Sequence, residues 1–368
     1  MNRILTASRA WLGVLLKDLP RYLAALLRDG QGYLAVCNRN ERLELAPDCS
    51  GYRCDWQWTS DLHAPKVMPV LGSALMRRAL ADHAIRHAAS PCAPGDQEPQ
   101  ISFIIGHRGE ARLPHLLATL ASIAAQRDAP VECIVVEQDE EPRLIGRLPA
   151  WVRHVHTPSP TPDMPYCRSW AFNIGARHAR GELLVLHDND MLVPVDYAAR
   201  LLAQTQQGYE VVNLKRFIFY LSAAHSDAFF CGTKGLLAHP PETVTQNLEA
   251  GGSVAITQRA FEAIGGMDES FIGWGGEDNE FWERAQTQRV WPFGCLPLVH
   301  LWHPAQSGKY EKDKATLQRY RALLAIPVQS RIATLRAVPS GAMSGPSGWA
   351  STTDMPIDGG MKTSGRAG

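Results

Sequence analysis

Asp188-Asn189-Asp190 directly follows the apolar run Leu183-Leu184-Val185-Leu186-His187, so two carboxylates one residue apart leave the end of a predicted strand together. Such a pair can hold a hard divalent cation together with phosphate oxygens. The same triplet can also serve as an Asx turn capping the next helix. A second segment runs Phe271-Ile272-Gly273-Trp274-Gly275-Gly276-Glu277-Asp278-Asn279-Glu280-Phe281. Its three glycines allow tight turns that expose the indole of Trp274. An exposed indole suits the apolar face of a sugar ring and keeps its N–H free to donate. Glu277 and Asp278 open a helix predicted to reach about Gln288, where the helix dipole keeps carboxylates ionised. They either cap that helix or, in the case of Asp278, serve as a general base toward a hydroxyl. The third segment is His300-Leu301-Trp302-His303-Pro304. Strand alternation puts His300 and Trp302 on one face and leaves His303 at the end. A histidine near two Asp residues can complete a metal shell or be purely structural.

These groups need a frame. Between residues 101 and 327, short apolar runs alternate with helical patterns. Strands are predicted at Ile101 to Ile105, Val131 to Val136, Trp151 to His156 and Glu182 to His187. Helices are predicted at Leu113 to Gln126, Arg168 to Ala179 and Pro194 to Gln206. Alternation of this kind implies an α/β fold with a mostly parallel sheet and flanking helices. Ligands of such sheets bind at the carboxyl ends of the strands. Residues 1–99 form a separate helical and irregular region. Its segment Arg9 to Leu27 is amphipathic with a basic bias, as in a helix packed on the domain or a membrane-surface anchor. Pro20 favours the packed reading, because it breaks a long interfacial helix. Asp48 to Pro65 reads as loop, Gly72 to Ala89 as helix and Ser90 to Gln100 as linker. From Val328 to residue 368 the composition turns to Ser, Gly, Pro, Ala and Met, so a disordered tail is expected.

Composition removes several function classes. The 368 residues carry 37 Lys+Arg and 37 Asp+Glu, and a neutral balance argues against nucleic acid as a partner. No stretch approaches the roughly 20 apolar residues of a membrane span, and no signal-peptide pattern opens the chain. The expected location is therefore cytoplasmic. The eight cysteines include no CxxC pair, which speaks against a zinc ribbon or a redox motif.

The GWGGED segment is preceded by Gly251-Gly252-Ser253-Val254-Ala255 and Phe261-Glu262-Ala263-Ile264-Gly265-Gly266. Together they resemble the carboxyl-terminal half of the β-1,4-galactosyltransferase family. They resemble even more closely the bacterial chondroitin-polymerase-type transferase domains, which share a GWGGEDNEF-like string. Tyr166-Cys167-Arg168, Asn173-Ile174-Gly175 and Asp188-Asn189-Asp190 resemble the nucleotide-sugar half of the same enzymes. Ile101 to Gln126 is similar to the opening β–α unit of the Rossmann-like GT-A fold. The likeness spans about residues 101–305 and leaves out both ends of the chain. Gly106-His107-Arg108 departs from the family's usual first-loop string.

The resemblance implies a role for each matching residue. Asp190 would bind the metal, Mn2+ or Mg2+, and Asp188 would lie beside the metal and the donor's sugar or ribose. His303 would complete the metal site, with His300 as the alternative. Asp278 would be the catalytic base and Glu277 its catalytic neighbour. Trp274, Gly275 and Gly276 would hold sugar. Arg108, Glu137 and Arg168 would touch the nucleotide. Related retaining enzymes carry Asn where Asp278 stands, so Asp favours inversion. The implied function is a divalent-metal-dependent, inverting transfer of a hexose or hexosamine from a nucleotide sugar, with UDP expected. The acceptor would be a glycan or glycolipid hydroxyl, as in polysaccharide biosynthesis. A lipid-linked acceptor would bring the basic N-terminal segment to the cytoplasmic membrane face. Two other readings stand beside it. One is a nucleotidyltransferase-type phosphate enzyme, which needs Asp188 and Asp190 but gives no role to Trp274 and Asp278. The other is a non-catalytic carbohydrate-binding relic of the fold, which needs neither Asp278 nor metal.

Overall fold

The computed structural model describes residues 2–337 except 29, 58–59, 92–97, 162 and 306–313. Its centre is a seven-stranded sheet in the order Val290–Trp291, Val211–Val212, Ser253–Thr257, Leu183–His187, Ile101–His107, Val131–Glu137 and Val152–His156. Only Ser253–Thr257 runs antiparallel to its neighbours. Ile101–His107 is buried along its whole length because the sheet is covered on both faces, which is why it reads as continuous apolar sequence rather than alternation. It is in register with both neighbours, Ile101 opposite Val131 and opposite Leu183. The three strands therefore end at one edge, and the loops after His107, Glu137 and His187 share that edge.

A second sheet orders Thr243–Gln246, Lys215–Tyr220, Leu296–His300 and Met191–Leu192. Its register places His300 opposite Met191, and the Leu301 N–H donates to the Asp190 carbonyl at 2.9 Å. This non-local pairing joins the third chemical segment to the first.

Helix Arg168–His178 packs on the central sheet, and its Asn173 side chain clasps the Met267 backbone from both sides, at 2.8 and 2.9 Å. That clasp fixes the chain leading into the GWGGED segment. Helix Glu277–Ala285 is then held by Arg284, which is fully buried. It pairs with Glu280 at 2.6 Å and donates to the Ile264 and Gly266 carbonyls.

Four expectations change. Arg42–Leu45 and Tyr52–Asp55 pair as an antiparallel hairpin, so part of the Asp48 to Pro65 loop is strand. The loop reading followed polar composition, whereas the pairing partner lies outside that segment. The Gly72 to Ala89 helix instead runs Pro69–Asp82. The expected disordered tail from 328 is helical over Val328–Ala337. There Ile332 joins the core beside Phe281, and Arg331 pairs with Glu283 at 2.6 Å, contacts that composition does not announce. The rest of the tail, 338–368, lies outside the described residues. Finally, Pro20 does not break the N-terminal helix. Asn2–Gly13, a π-helical turn Val14–Asp18 and Leu19–Leu27 follow one another without interruption. Proline lacks an N–H and crowds the carbonyl four residues back, and the wider π turn just before Pro20 relaxes both demands. Residues 1–99 share one apolar core with the central sheet, through Val14, Tyr33, Leu75 and Ile101 among others.

Candidate active site

Two charged clusters meet at the shared strand edge. The first is built on Asp190, which is buried. His303 Nε2 lies 3.3 Å from its Oδ2 and His300 Nε2 lies 3.7 Å from its Oδ1. One donor atom from each of the three residues falls within 4.8 Å of the others. Both histidines lie beside Asp190, because the second sheet carries His300 to Met191 while His303 turns back over the same carboxylate. The His303 Nδ1 sits 2.7 Å from the Pro304 carbonyl. A bound cation would need Nε2 as a lone pair, and donation from Nδ1 to the Pro304 carbonyl would favour that tautomer. Asp190 Oδ1 is shielded from solvent and makes no hydrogen bond. A carboxylate oxygen and two imidazoles suit a borderline divalent cation such as Mn2+, and the orphaned oxygen is what such an ion would satisfy.

Arg112 also reaches this cluster. It donates to the Asn189 side chain at 2.8 Å and to Asp190 Oδ2. Burial pushes the Asp190 carboxyl upward, yet His300, His303 and Arg112 together hold it far below the usual carboxylate range. The sequence reading passed over Arg112. Its signal was positional, a cation at the mouth of a helix just after the first strand.

The second cluster is built on Arg168. Its Nε donates to Asp188 Oδ1 at 2.8 Å and its Nη1 donates to Asp278 Oδ1. The carboxylates from residues 188 and 278 therefore meet on one guanidinium. Burial, with Asp190 and Asp278 adding, pushes Asp188 up to about 6 against the pull of Arg168. Despite its own burial, Arg168 is held firmly protonated by Asp188, Asp278 and Glu277. Beneath them, Lys215 donates to the Glu249 carbonyl at 2.7 Å and to the Ser253 carbonyl, pinning the Gly251-Gly252 loop. A Cβ at Gly251 would press on Leu248 at 3.0 Å and on Asp278 Oδ2 at 3.3 Å.

Trp274 is 40% exposed, with the Lys314 ammonium 3.9 Å from its ring centre. It lines a cavity of about 500 Å3 with Arg108, Arg112, Asn189, Gly273 and His303. Gly276 takes φ +92° at the start of the Glu277–Ala285 helix, and a Cβ there would press on Tyr320 and Phe271 at 3.0 and 3.1 Å. Gly275 takes φ +109° and presents its N–H to Glu277. Gly106, part of the unusual first loop, lies against the Tyr166 hydroxyl, which would be 1.9 Å from a Cβ at that position.

Two assigned residues do something else. Glu137 is fully buried, and its carboxylate binds His154 at 2.7 Å and the Arg143 N–H at 2.8 Å. Its lone pairs organise the chain after the strand rather than face a nucleotide. Glu277 is also buried, and its carboxylate accepts the Gly275 N–H at 2.9 Å. That bond shapes the glycine loop. The remaining assignments converge: Asp190, His300 and His303 at one end, Asp188, Asp278 and Arg168 at the other, with Arg108 and Trp274 on the cavity wall.

Residues 102–226 match the family described as glycosyl transferase family 2, and residues 243–292 match the one described as the N-terminal domain of galactosyltransferase. Both matches are to glycosyltransferase families, and together they cover less than half of the chain. The first match supplies the strand that leads into Asp188, and the second ends just past the Asp278 helix. A β-1,4-galactosyltransferase 5 from Danio rerio is 26% identical over 126 residues. That alignment covers 33% of this chain and 27% of the relative, so the chain spans about a quarter of the curated relative it matches. Among solved structures, the catalytic domain of Drosophila β1,4-galactosyltransferase 7 with xylobiose is similar at 15% identity and a TM-score of 0.36. The match covers 61% of this chain and 79% of that one. GalNAc-T7, determined with UDP, GalNAc and Mn2+, is similar at 15% identity and a TM-score of 0.45, covering 68% of this chain and 53% of that one. Both matched segments contribute residues to the site.

Proposed function

We propose that the domain catalyses an inverting, divalent-metal-dependent transfer of a hexose or hexosamine from a nucleotide sugar, with UDP as the nucleotide, to a hydroxyl of a glycan or glycolipid. One observation carries this reading: a single guanidinium, Arg168, holds both Asp278 and Asp188, and Asp188 is two residues from the cation-fitting cluster at Asp190. A group that can take a proton and a group that can receive a diphosphate's counter-ion are thus linked through Arg168 and the Asp188–Asp190 turn.

Asp190, His300 and His303 would hold the cation, Mn2+ or Mg2+, which when bound neutralises charge on the departing diphosphate. Arg108 and Arg112 face the same cavity and can pair with phosphate oxygens. The acceptor oxygen attacks the anomeric carbon and its proton passes to an Asp278 carboxylate oxygen. The bond from that carbon to the diphosphate oxygen breaks, and its electron pair leaves with the nucleoside diphosphate. Trp274 offers an apolar platform for a sugar ring. Arg168 orients Asp278 throughout.

The test is a panel of nucleotide sugars with Mn2+ and glycan acceptors, scored for product and anomeric configuration. Acceptor-dependent release of nucleoside diphosphate with inverted product is expected. Release of nucleoside monophosphate and pyrophosphate would favour the phosphate-enzyme reading. Glycan binding without turnover, unchanged by chelator, would favour the binding relic.

A further inference from the structure

The N-terminal helix has one face that the domain uses and one that it leaves open. Val14, Asp18 and Tyr22 recur every four residues and are buried against the core. Asp18 is neutralised by Arg39 at 3.0 Å. Along the same helix Trp11, Leu12, Leu16, Leu23 and Leu27 are exposed, Leu16 at 70% and Leu27 at 80%. These are five of the thirteen exposed large apolar side chains among the described residues, gathered on one helical stretch. Arg9, Lys17, Arg21 and Arg28 are exposed around them, and Asp18 is the single acid between residues 8 and 28. The chain as a whole is neutral, so this is a local concentration of positive charge on an apolar face.

We propose that the Arg9–Arg28 face is a docking surface for an anionic lipid bilayer, lying in the headgroup plane with its leucines in the acyl boundary. Two observations select this occupant. No helix among the described residues is long and apolar enough to cross a membrane, which leaves surface binding as the way a bilayer covers this face. A second copy of the chain would cover it through a self-complementary contact, and that symmetry sets the same basic rim against itself. Anionic headgroups instead complement Arg9, Lys17 and Arg28, while Trp11 suits the interface between headgroup and hydrocarbon. Pro20 fits the same picture, since it lies exposed within the helix without interrupting it. The docking is independent of the transfer reaction proposed above.

The experiment is co-sedimentation of the full chain with vesicles of phosphatidylcholine alone and of phosphatidylcholine with about one-third phosphatidylglycerol. Binding to the anionic vesicles is expected, falling steeply in about 0.5 M salt. The double variant Leu16→Ser, Leu27→Ser should bind roughly tenfold or more weakly with an unchanged circular dichroism spectrum, because both side chains are solvent-exposed. Lys17→Gln with Arg28→Gln should lose part of the binding and most of its salt dependence. Three results would each overturn the proposal: failure of the unaltered chain to bind anionic vesicles, equal binding to neutral ones, and undiminished binding by the leucine variant. A lipid-free dimer that the leucine substitutions abolish would assign the face to a second copy instead.

Discussion

The two ends of the site handle the same problem, a carboxylate taken out of water, with different partners. At Asp190 two imidazoles and Arg112 crowd one buried carboxylate whose second oxygen has no hydrogen bond. At Asp278 one shared guanidinium suffices, and the carboxylate is about one-third exposed. Buried charge needs compensation, which the proposed cation would supply at the first end. The second keeps an oxygen in reach of an acceptor. An arginine already stands where the first end wants positive charge, whereas at the second end the arginine is the permanent partner. In the proposed function this difference would separate a ligand site from a proton-transfer site, although both begin as an Asp beside an Arg.

The largest expected effect is on the second end. Asp278→Asn should lower turnover by roughly 10²–10⁴-fold, the usual contribution of a positioned base, while leaving nucleotide and Mn2+ affinity within about twofold. Steady-state kinetics with isothermal titration reads both, and equal loss of binding and turnover would erase the contrast. Next, Asp190→Ala should weaken Mn2+ binding by roughly 10–100-fold or more, since even groups behind a metal ligand are worth that much. Electron paramagnetic resonance of free Mn2+ measures it, and unchanged affinity would remove the cation from the first end. A smaller, two-signed effect is expected from Arg112→Ala. Without the competing guanidinium, Mn2+ alone should bind a few-fold more tightly, whereas nucleoside diphosphate should bind a few-fold more weakly. Losses of both kinds would mean that Arg112 only supports the fold.

The smallest effect concerns Glu277. Burial first, then the neighbouring Asp278 charge, pushes its carboxyl up to about 7 from an ordinary 4.5. In the unfolded chain it ionises near its ordinary value, so between those two pH values the folded state binds more protons. Stability therefore falls as pH rises across that window. Glu277→Gln should flatten this slope in urea denaturation followed from pH 4.5 to 7. An unchanged slope would place the responsible carboxyl elsewhere, with Asp188 the next candidate.

Much of this arrangement was legible in the residues. The continuous apolar runs at Ile101 and Leu183 announced buried parallel strands, and Asp188-Asn189-Asp190 sat at the end of one of them. The GWGGED segment announced a glycine-shaped loop opening a helix. Less was legible where a partner comes from far along the chain. Glu137 looked like a ligand because it ends a strand at the right edge, yet His154 and the Arg143 N–H consume its lone pairs. Glu277 stood beside Asp278 in sequence but turned onto the Gly275 N–H. Helix Val328–Ala337 looked like tail until Ile332 found Phe281.

By itself, the sequence determined the local periodicities, the turns that only glycine allows and the charged groups available to a site. Tertiary structure alone decided which of those charges face one another. His300 meets Asp190 because a strand more than a hundred residues away pairs with Met191, and Asp278 meets Asp188 because Arg168 spans both. Electrostatic pairing falls steeply with distance and depends on burial, and distance and burial between remote residues exist only once the chain has folded.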